Sequence, residues 1–451
     1  MVHPASPSNT PPRPHHAWAT RLRRVGRRVL RWTISAVVTL LALIGTLHIT
    51  RGTSVRHVET VSTDGRALAV ADPGFVQAVG MLTGASLMPG HVVEVMLNGD
   101  GTYERLWADL RAAEHSITLQ LYYGMPGRMA QTLTAILRER AAAGVDIHVL
   151  YDAFGTIDIP DQVRDALREA GIDVQPFRPI RFKTLHMAQH RSHVRGIVID
   201  GRIGWTGGFG IDDKWYGDGL TAGAWRETNV RFEGPAVRQL QAAFAAAWAE
   251  ATGVLYTGRV AEDNPAAGSV MAGLLYATPT LGTTSAERFL AMSIAAAREK
   301  IYITNAYFAP GDGLVGLLID AARRGVDVHI VTGGPGTDVR IVRYAGRASY
   351  ERLLESGVRI YEWLPSILHA KTFVIDGQWT SIGSINFDNR SLVLNDEVTL
   401  MVLDEAIGRQ MEAVFADDLR HTREVTLDGF RQRSLWERIL EYAAMQLLPL
   451  L

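Results

Sequence analysis

The sequence predicts an α/β protein made of two copies of one unit. Each copy is a mixed sheet flanked by helices, the copies are related by pseudo-twofold symmetry, and an N-terminal transmembrane helix precedes them. Three observations carry this expectation. Strand-like and helix-like segments alternate from about Asp72 onward. The segments then recur: AAGVDIHVL, ending at Leu150, matches RRGVDVHIV, ending at Val331, and EAGIDVQPF at 169–177 matches ESGVRIYEW at 355–363. A repeat of that size, far longer than a solenoid period, marks a duplicated domain. Thirdly, a run of arginines abuts an uncharged apolar segment close to the N-terminus.

At 451 residues the chain exceeds one ordinary core, so two domains are expected. A formal net charge of −1 gives no global basicity, and no nucleic-acid partner is expected. There is no cysteine, which excludes disulfides, thiolate metal sites, a cysteine nucleophile and a lipoprotein anchor.

Taken in order, residues 1–31 read as a basic tail, disordered over 1–20 where Pro, Ser and His dominate. Arg21, Arg23, Arg24, Arg27, Arg28 and Arg31 precede the apolar segment from Trp32 to Thr50. A bilayer core needs about 17–25 such residues, so residues 32–50 are expected to span it as a signal anchor. The arginines hold the N-terminus cytoplasmic and place the rest on the extracytoplasmic face of the cell membrane. No small-x-small site follows, so the anchor is expected to stay uncleaved. The first domain is expected over 72–258, the second over 259–430, with a junction rich in Gly, Pro, Thr and Ser at 254–285. A C-terminal amphipathic helix at 431–451 carries Leu435, Trp436, Ile439, Leu440, Leu447 and Leu448 on one stripe. It suits packing on the body or lying in a membrane interface.

The chemistry concentrates in HAKTFVIDGQWTSIGSINFDNRS, residues 369–391. Phe373, Val374 and Ile375 lead to Asp376-Gly377, a strand closed by a turn. His369 and Lys371 share a strand face and lie roughly 6.5–7 Å apart, so imidazole and ammonium can reach one phosphate together. Asp376 has the opposite parity and is expected to brace the site. Gly383, Ser384 and Asn386 form a turn with hydroxyl, amide and backbone donors for phosphoryl oxygens. The first unit contains the counterpart HVRGIVIDGRIGWTGGFG at 193–210. His193 pairs with His369, Arg195 with Lys371, Asp200 with Asp376, and Gly207-Gly208 with Gly383-Ser384. Two histidines, each with a cation two residues on, are expected to face one another in one composite site for a phosphodiester.

These doubled H-x-K-x4-D repeats with Gly-rich turns resemble the phospholipase D superfamily, and residues from about 72 to 430 resemble its bacterial cardiolipin synthase branch. NAYFAP at 305–310 and NFDNRS running into LNDEV at 394–398 add to the likeness. The resemblance implies that one histidine attacks phosphorus and the other protonates the leaving alcohol, through a phosphatidyl-histidine and without metal or cofactor. By analogy His193 is the nucleophile and His369 the acid. Glu227 in WRETNV and Glu397 in NDEVTL, each one supersecondary unit after its own histidine, resemble the family's orienting carboxylates. The implied partners are the lipid bilayer and phospholipid substrates, with two phosphatidylglycerols condensing to cardiolipin and glycerol. Hydrolysis to phosphatidic acid, and lipid binding without catalysis, are the alternatives. Two positions depart from the pattern: Arg195 stands where the family has Lys, and Gly210 where it often has Asn. Arginine keeps the charge and offers a planar fork to phosphate, whereas the glycine removes a donor. The sequence sets no oligomeric state.

Other patterns carry less. GDGLVG at 311–316 matches a dinucleotide loop, but no ribose-binding acid follows, and a loop opening a helix accounts for it. Arg340, Arg343 and Arg347 fall on one helical face, which suits a solvated stripe or a place for anionic head groups. His186 and His190 have i, i+4 spacing without a third ligand, so they read as solvated or supporting histidines.

Overall fold

The computed structural model describes residues 15–51, 53–59, 68–256, 265–280 and 282–451. By contact the chain divides at residue 50, with residues 51–451 forming one compact unit.

The N-terminal unit is dominated by a helix, α1 (His15–Arg51), that holds both the arginine run and the apolar segment. Residues 15–31, expected to belong to the tail, are therefore helical, while residues 1–14 lie outside the described residues. The tail's Ala, Leu and Arg favour helix, and the following apolar run lets it propagate without a break. Thr33 and Thr46 turn their hydroxyls back to the carbonyls of Val29 and Ala42, at 3.0 and 2.8 Å, so neither hydroxyl is left unpaired. Trp32, Val38 and Leu41 are exposed. Among the described residues no helix is long and apolar enough to cross a membrane. The side chains at 44 and 47–50, within the expected span, are not among those described.

In the larger unit the first copy contains strands β1 (Met88–Leu97), β2 (Ser116–Leu121), β3 (Asp146–Asp152), β4 (Asp173–Phe177), β5 (Gly196–Ile199), β6 (Ile203–Gly207), β7 (Trp225–Arg226) and β8 (Thr228–Glu233). Its helices are α2 (Phe75–Thr83), α3 (Asn98–Arg111), α4 (Arg128–Ala142), α5 (Asp161–Glu169) and α6 (Ala236–Thr252). The second copy contains β9 (Val270–Ala277), β10 (Lys300–Asn305), β11 (Asp327–Gly333), β12 (Arg359–Trp363), β13 (Ile367–Leu368), β14 (Lys371–Ile375), β15 (Trp379–Gly383), β16 (Glu397–Leu403) and β17 (Thr422–Val425). Its helices are α7 (Ser285–Ala296), α8 (Asp312–Arg323), α9 (Arg340–Arg347), α10 (Tyr350–Glu355) and α11 (Glu405–Leu419), followed by α12 (Leu427–Arg431) and α13 (Leu435–Met445).

Strand order repeats between the copies. The first runs β1-β8-β6-β5-β2-β3-β4, the second β9-β16-β15-β14-β10-β11-β12, with β17 added at the edge. The two runs join where β1 pairs antiparallel with β9, giving a single 15-stranded sheet. The expected junction at 254–285 therefore contains a central strand. Its Gly and Ala residues read as linker, yet Gly273 lets the chain pass Ser86, whose carbonyl would lie 2.4 Å from a Cβ there. One hydrophobic cluster crosses the seam, joining Val93, Val230, Phe232 and Leu240 to Val374, Ile382, Leu400 and Val402. Each such side chain contributes about 1.5–3 kcal/mol on burial, so the copies are not separable bodies.

Three sequence patterns resolve into structural roles. Gly313 of the GDGLVG loop is needed because the carbonyl of Val55 would lie 2.3 Å from a Cβ there, and Asp312 simply opens α8. Arg343 and Arg347 are not a free stripe. Both bond Glu362, at 2.6 and 3.1 Å, and Arg347 also bonds Glu441 of α13 at 2.8 Å. The C-terminal helix thus packs on the body through Glu441 and Ala444, the latter against Val342 and Ala345, while Leu435, Trp436 and Ile439 stay exposed.

Asp200 and Asp376, expected among the site residues, act at the other end of their strands. Asp376 lies seven residues beyond His369, roughly 20 Å at strand spacing. Its carboxylate accepts the N–H groups of Arg298, Glu299 and Lys300 at 2.9 Å each. Asp200 accepts from Glu114, His115 and Ser116 at 2.7–2.9 Å. Both adopt positive φ, 53° and 50°, as the turn before Gly201 and Gly377 demands. Asp376→Ala should lower stability by about 3 kcal/mol, since the bonds accept to a charged group, in denaturant titration. Turnover per folded molecule should be unchanged.

Candidate active site

Each histidine enters the site on a chain segment paired with the other copy. Ser192 bridges Asp396, and the N–H of His193 donates to the Asp396 carbonyl at 2.9 Å. Symmetrically, β13 pairs with β7, and the N–H of His369 donates to the Arg226 carbonyl at 2.8 Å. Each pairing delivers the carboxylate next along the partner segment. His193 Nδ1 lies 2.9 and 3.0 Å from the two oxygens of Glu397, and His369 Nδ1 lies 2.6 Å from Glu227 Oε2. The carboxylates are therefore exchanged between copies, contrary to the expectation that each serves the histidine preceding it. With Nδ1–H donating to carboxylate, the free lone pair is on Nε2. All four groups are buried.

The cations curl back in the same way in both copies. Lys371 donates to the His369 carbonyl and stands 5.7 Å from the centre of the Tyr307 ring. Arg195 donates to the His193 carbonyl at 3.1 Å and lies 5.4 Å over Tyr122. Arg195 Nε is buried without a hydrogen-bond partner among the described residues. Arginine in place of lysine thus keeps the backbone anchor and leaves one donor for a ligand.

The turns differ between the copies. Ser384 does not present a free hydroxyl to phosphate, because it donates to Glu397 at 2.5 Å and accepts from the Val398 N–H at 3.0 Å. Asn386 donates to Ser391 at 3.3 Å, and its carbonyl oxygen is buried without a partner among the described residues. Asn395 adds a bond to Glu397 at 3.3 Å. In the first copy, Gly208 stands where Ser384 does, and a Cβ there would fall 2.4 Å from the Glu227 carboxylate. Gly207 makes a similar close approach, 2.3 Å, to Asn229. The Gly210 departure has a visible cause. A Cβ at that position would meet the Trp215 ring at 2.8 Å. Trp215 instead points its indole N–H at Glu227, 3.4 Å away, and Thr228 N–H donates to the other oxygen at 3.0 Å.

Trp215 and Trp225 also wall His369, with ring centres 5.5 and 4.6 Å away, and Tyr122 packs edge-on at 4.9 Å from His193. Sequence reading missed these aromatics. The LYY run after β2 and the tryptophans around 215–225 were visible, but nothing local tied them to the histidines.

Electrostatics follow from burial. Burial pushes both histidines well below their ordinary value. Arg195 then Lys371 add to this at His193, and Lys371 then Arg195 at His369. Burial raises Glu227, and raises Glu397 to about 7. It brings Lys371 down to about 7, against the attraction of Glu227. The site thus favours neutral imidazoles beside cations that an anionic ligand would hold in the charged form. His190, by contrast, bonds the Leu394 carbonyl at 3.1 Å, and the side chain of His186 lies outside the described residues. Among the described residues no group of three His, Cys, Asp or Glu could hold a metal ion.

Comparison with known proteins bears on this arrangement. Residues 290–419 match the family model described as cardiolipin synthase, PLD-like domain. The chain is 33% identical over 365 residues to a cardiolipin synthase of Geobacillus kaustophilus, covering 79% of this chain and 72% of that one. It is 33% identical over 362 residues to cardiolipin synthase A of Pseudomonas fluorescens, covering 80% and 75%. Among solved structures, phosphatidylserine synthase of Haemophilus influenzae shares the fold, with a TM-score of 0.58 at 12% identity over 83% of this chain and 97% of that one.

The exchanged pairing predicts which proton belongs to which carboxylate. Glu397→Gln should remove the downfield Nδ1–H resonance of His193 and keep that of His369, while Glu227→Gln should do the reverse. Proton NMR with histidine-selective labelling reads both.

Proposed function

The chain belongs to the cardiolipin synthase family of phospholipase D-like proteins, and from that premise we propose that it condenses two phosphatidylglycerols into cardiolipin and glycerol. The observation that carries this reading is the pair of buried His–Glu units, contributed crosswise by the two copies, beside Arg195 and Lys371.

The steps follow from the side chains. Arg195 and Lys371 receive the nonbridging oxygens of one phosphatidylglycerol, and the bound anion offsets the burial and the cationic repulsion that keep the histidines neutral, so that His369 takes up a proton on Nε2. His193 Nε2 attacks phosphorus, the bond to the glycerol head group breaks, and His369 gives its proton to the departing oxygen. The product is phosphatidyl-His193. A head-group hydroxyl of a second phosphatidylglycerol then attacks phosphorus as His369 takes back the proton, which releases cardiolipin and restores both histidines. Glu397 and Glu227 fix the Nδ1–H tautomers and stabilise whichever ring carries charge. Ser384 and Asn395 hold Glu397, as Trp215 and Thr228 hold Glu227. Gly208 leaves room for the Glu227 carboxylate and Gly207 for the Asn229 side chain, rather than binding phosphate. No cofactor has a step in this scheme.

Membrane attachment belongs to the same reading. The apolar run of α1 is a single-pass anchor, with the arginines cytoplasmic and the catalytic unit on the extracytoplasmic face of the cell membrane. The exposed apolar side chains at Trp32, Val38 and Leu41 support it.

Full-length protein incubated with phosphatidylglycerol in detergent should yield cardiolipin and glycerol in equal amounts by mass spectrometry. His369→Ala should lower the rate by about 10²–10⁴-fold. Phosphatidic acid as the main product would instead identify a hydrolase.

A further inference from the structure

Two neighbouring loops of the first copy present large apolar side chains to solvent. After β3, Phe154 and Ile157 are 52% and 70% exposed; after β4, Ile180 and Phe182 are 51% and 95% exposed. The loops lie side by side because β3 and β4 are parallel neighbours, with Asp152 opposite Phe177 and the Ala153 N–H donating to the Phe177 carbonyl at 3.1 Å. Exposing four such side chains together is costly in water and marks a contact surface. In the second copy the chain after β11 turns into α9, and Leu364 after β12 is 50% exposed. There α9 bonds Glu362 of β12, and α13 packs on α9.

Both loops are fastened to the segment that carries His193. Buried Asp152 accepts the N–H groups of Phe154 and Gly155, at 2.9 and 3.1 Å, with one oxygen, and that of Ser192 at 3.0 Å with the other. Arg191 holds the second loop by donating to the carbonyls of Arg178, Met187 and His190 at 2.9–3.3 Å. Gly155 lies so close to Tyr122 that a Cβ would fall 2.0 Å from its carbonyl, and Tyr122 is the ring against His193. The exposed tips and the histidine are thus parts of one rigid patch.

We propose that these loops are the rim by which the catalytic unit dips into the bilayer, setting His193 at the depth of the phospholipid phosphates. The proposal rests on the lipid-substrate reading above. A two-chain lipid keeps its tails in the membrane, so the site must meet it at the interface, and the apolar side chains border that site. The sequence Ile180-Arg181-Phe182 places an exposed cation between two apolar side chains, suited to a lipid phosphate lying above acyl chains. Asp158 is the other exposed charge among the described side chains of the two tips. The sequence adds Lys183 to Arg181 and Asp158, so the tips carry a small positive surplus, and the part of the contact made by apolar groups should persist at high salt.

The absence of cysteine makes the test direct. Full-length Phe182→Cys and Ile157→Cys proteins, labelled with a polarity-sensitive fluorophore, are reconstituted into vesicles of phosphatidylglycerol and phosphatidylethanolamine. Emission should shift to the blue at both sites and be quenched by lipids spin-labelled near the top of the acyl chain. An Arg323→Cys control on α8 should show neither effect. Emission and quenching equal to the control would overturn the proposal. A blue shift without lipid quenching would also overturn it, because a second copy of the chain would then cover the tips. The Ile157→Ser/Phe182→Ser double variant should lose roughly tenfold or more in turnover of vesicle lipid, with turnover of monomeric short-chain phosphatidylglycerol unchanged. Equal loss on both substrates would contradict the rim. Quenching needs no turnover, so a protein that dips but makes no cardiolipin overturns the functional reading alone.

Discussion

The constraint on which the rest depends is the exchange of carboxylates between the two copies. A buried histidine beside a cation is tolerable only with an acceptor on its second nitrogen, and here that acceptor comes from the other copy. Neither copy alone could form an oriented histidine. The exchange requires the short β7–β13 ladder, the Ser192–Asp396 bridge and a fixed seam, hence one continuous sheet and one core across β1 and β9. Buried ion pairs pin the same interface. Arg226 makes a bidentate pair with Asp418 at 2.8 and 2.9 Å, and Arg178 meets Asp396 at 2.9 Å. Removing one member of such a pair costs about 3–5 kcal/mol, which makes partial separation of the copies unfavourable.

Symmetry of backbone is not symmetry of chemistry. Glu397 is held by a serine hydroxyl and an asparagine amide, whereas Glu227 is held by an indole and a backbone N–H. His369 sits among tryptophans, His193 against a tyrosine. Two histidines in different surroundings suit two different duties. The glycine at 210, which looks like a lost donor in isolation, is the space that Trp215 requires.

Much of this was legible in the chain. The repeat at 142–150 and 323–331 gave β3 and β11, and the matched His-x-cation segments gave the composite site. The crossing was not legible, because a duplicated sequence offers the same residue types at the same spacing whichever way the carboxylates pair. Nor was β9, whose small residues mimic a linker and become a strand only through β1 and β16 on either side. Ser384 looked like a phosphate donor because its turn is exposed in sequence terms, while its partner Glu397 lies 13 positions away. Of the C-terminal stripe, Leu448 packs on the body beside Glu441 and Ala444, which lie outside the stripe, while Leu435, Trp436 and Ile439 stay exposed.

The central claim is that both copies build one site with one nucleophile. Rapid acid-free quenching of the protein with phosphorus-labelled phosphatidylglycerol, followed by peptide mapping, tests it most directly. One equivalent of phosphatidyl label per chain, confined to His193, is the predicted result. Label on both histidines approaching two equivalents would contradict it.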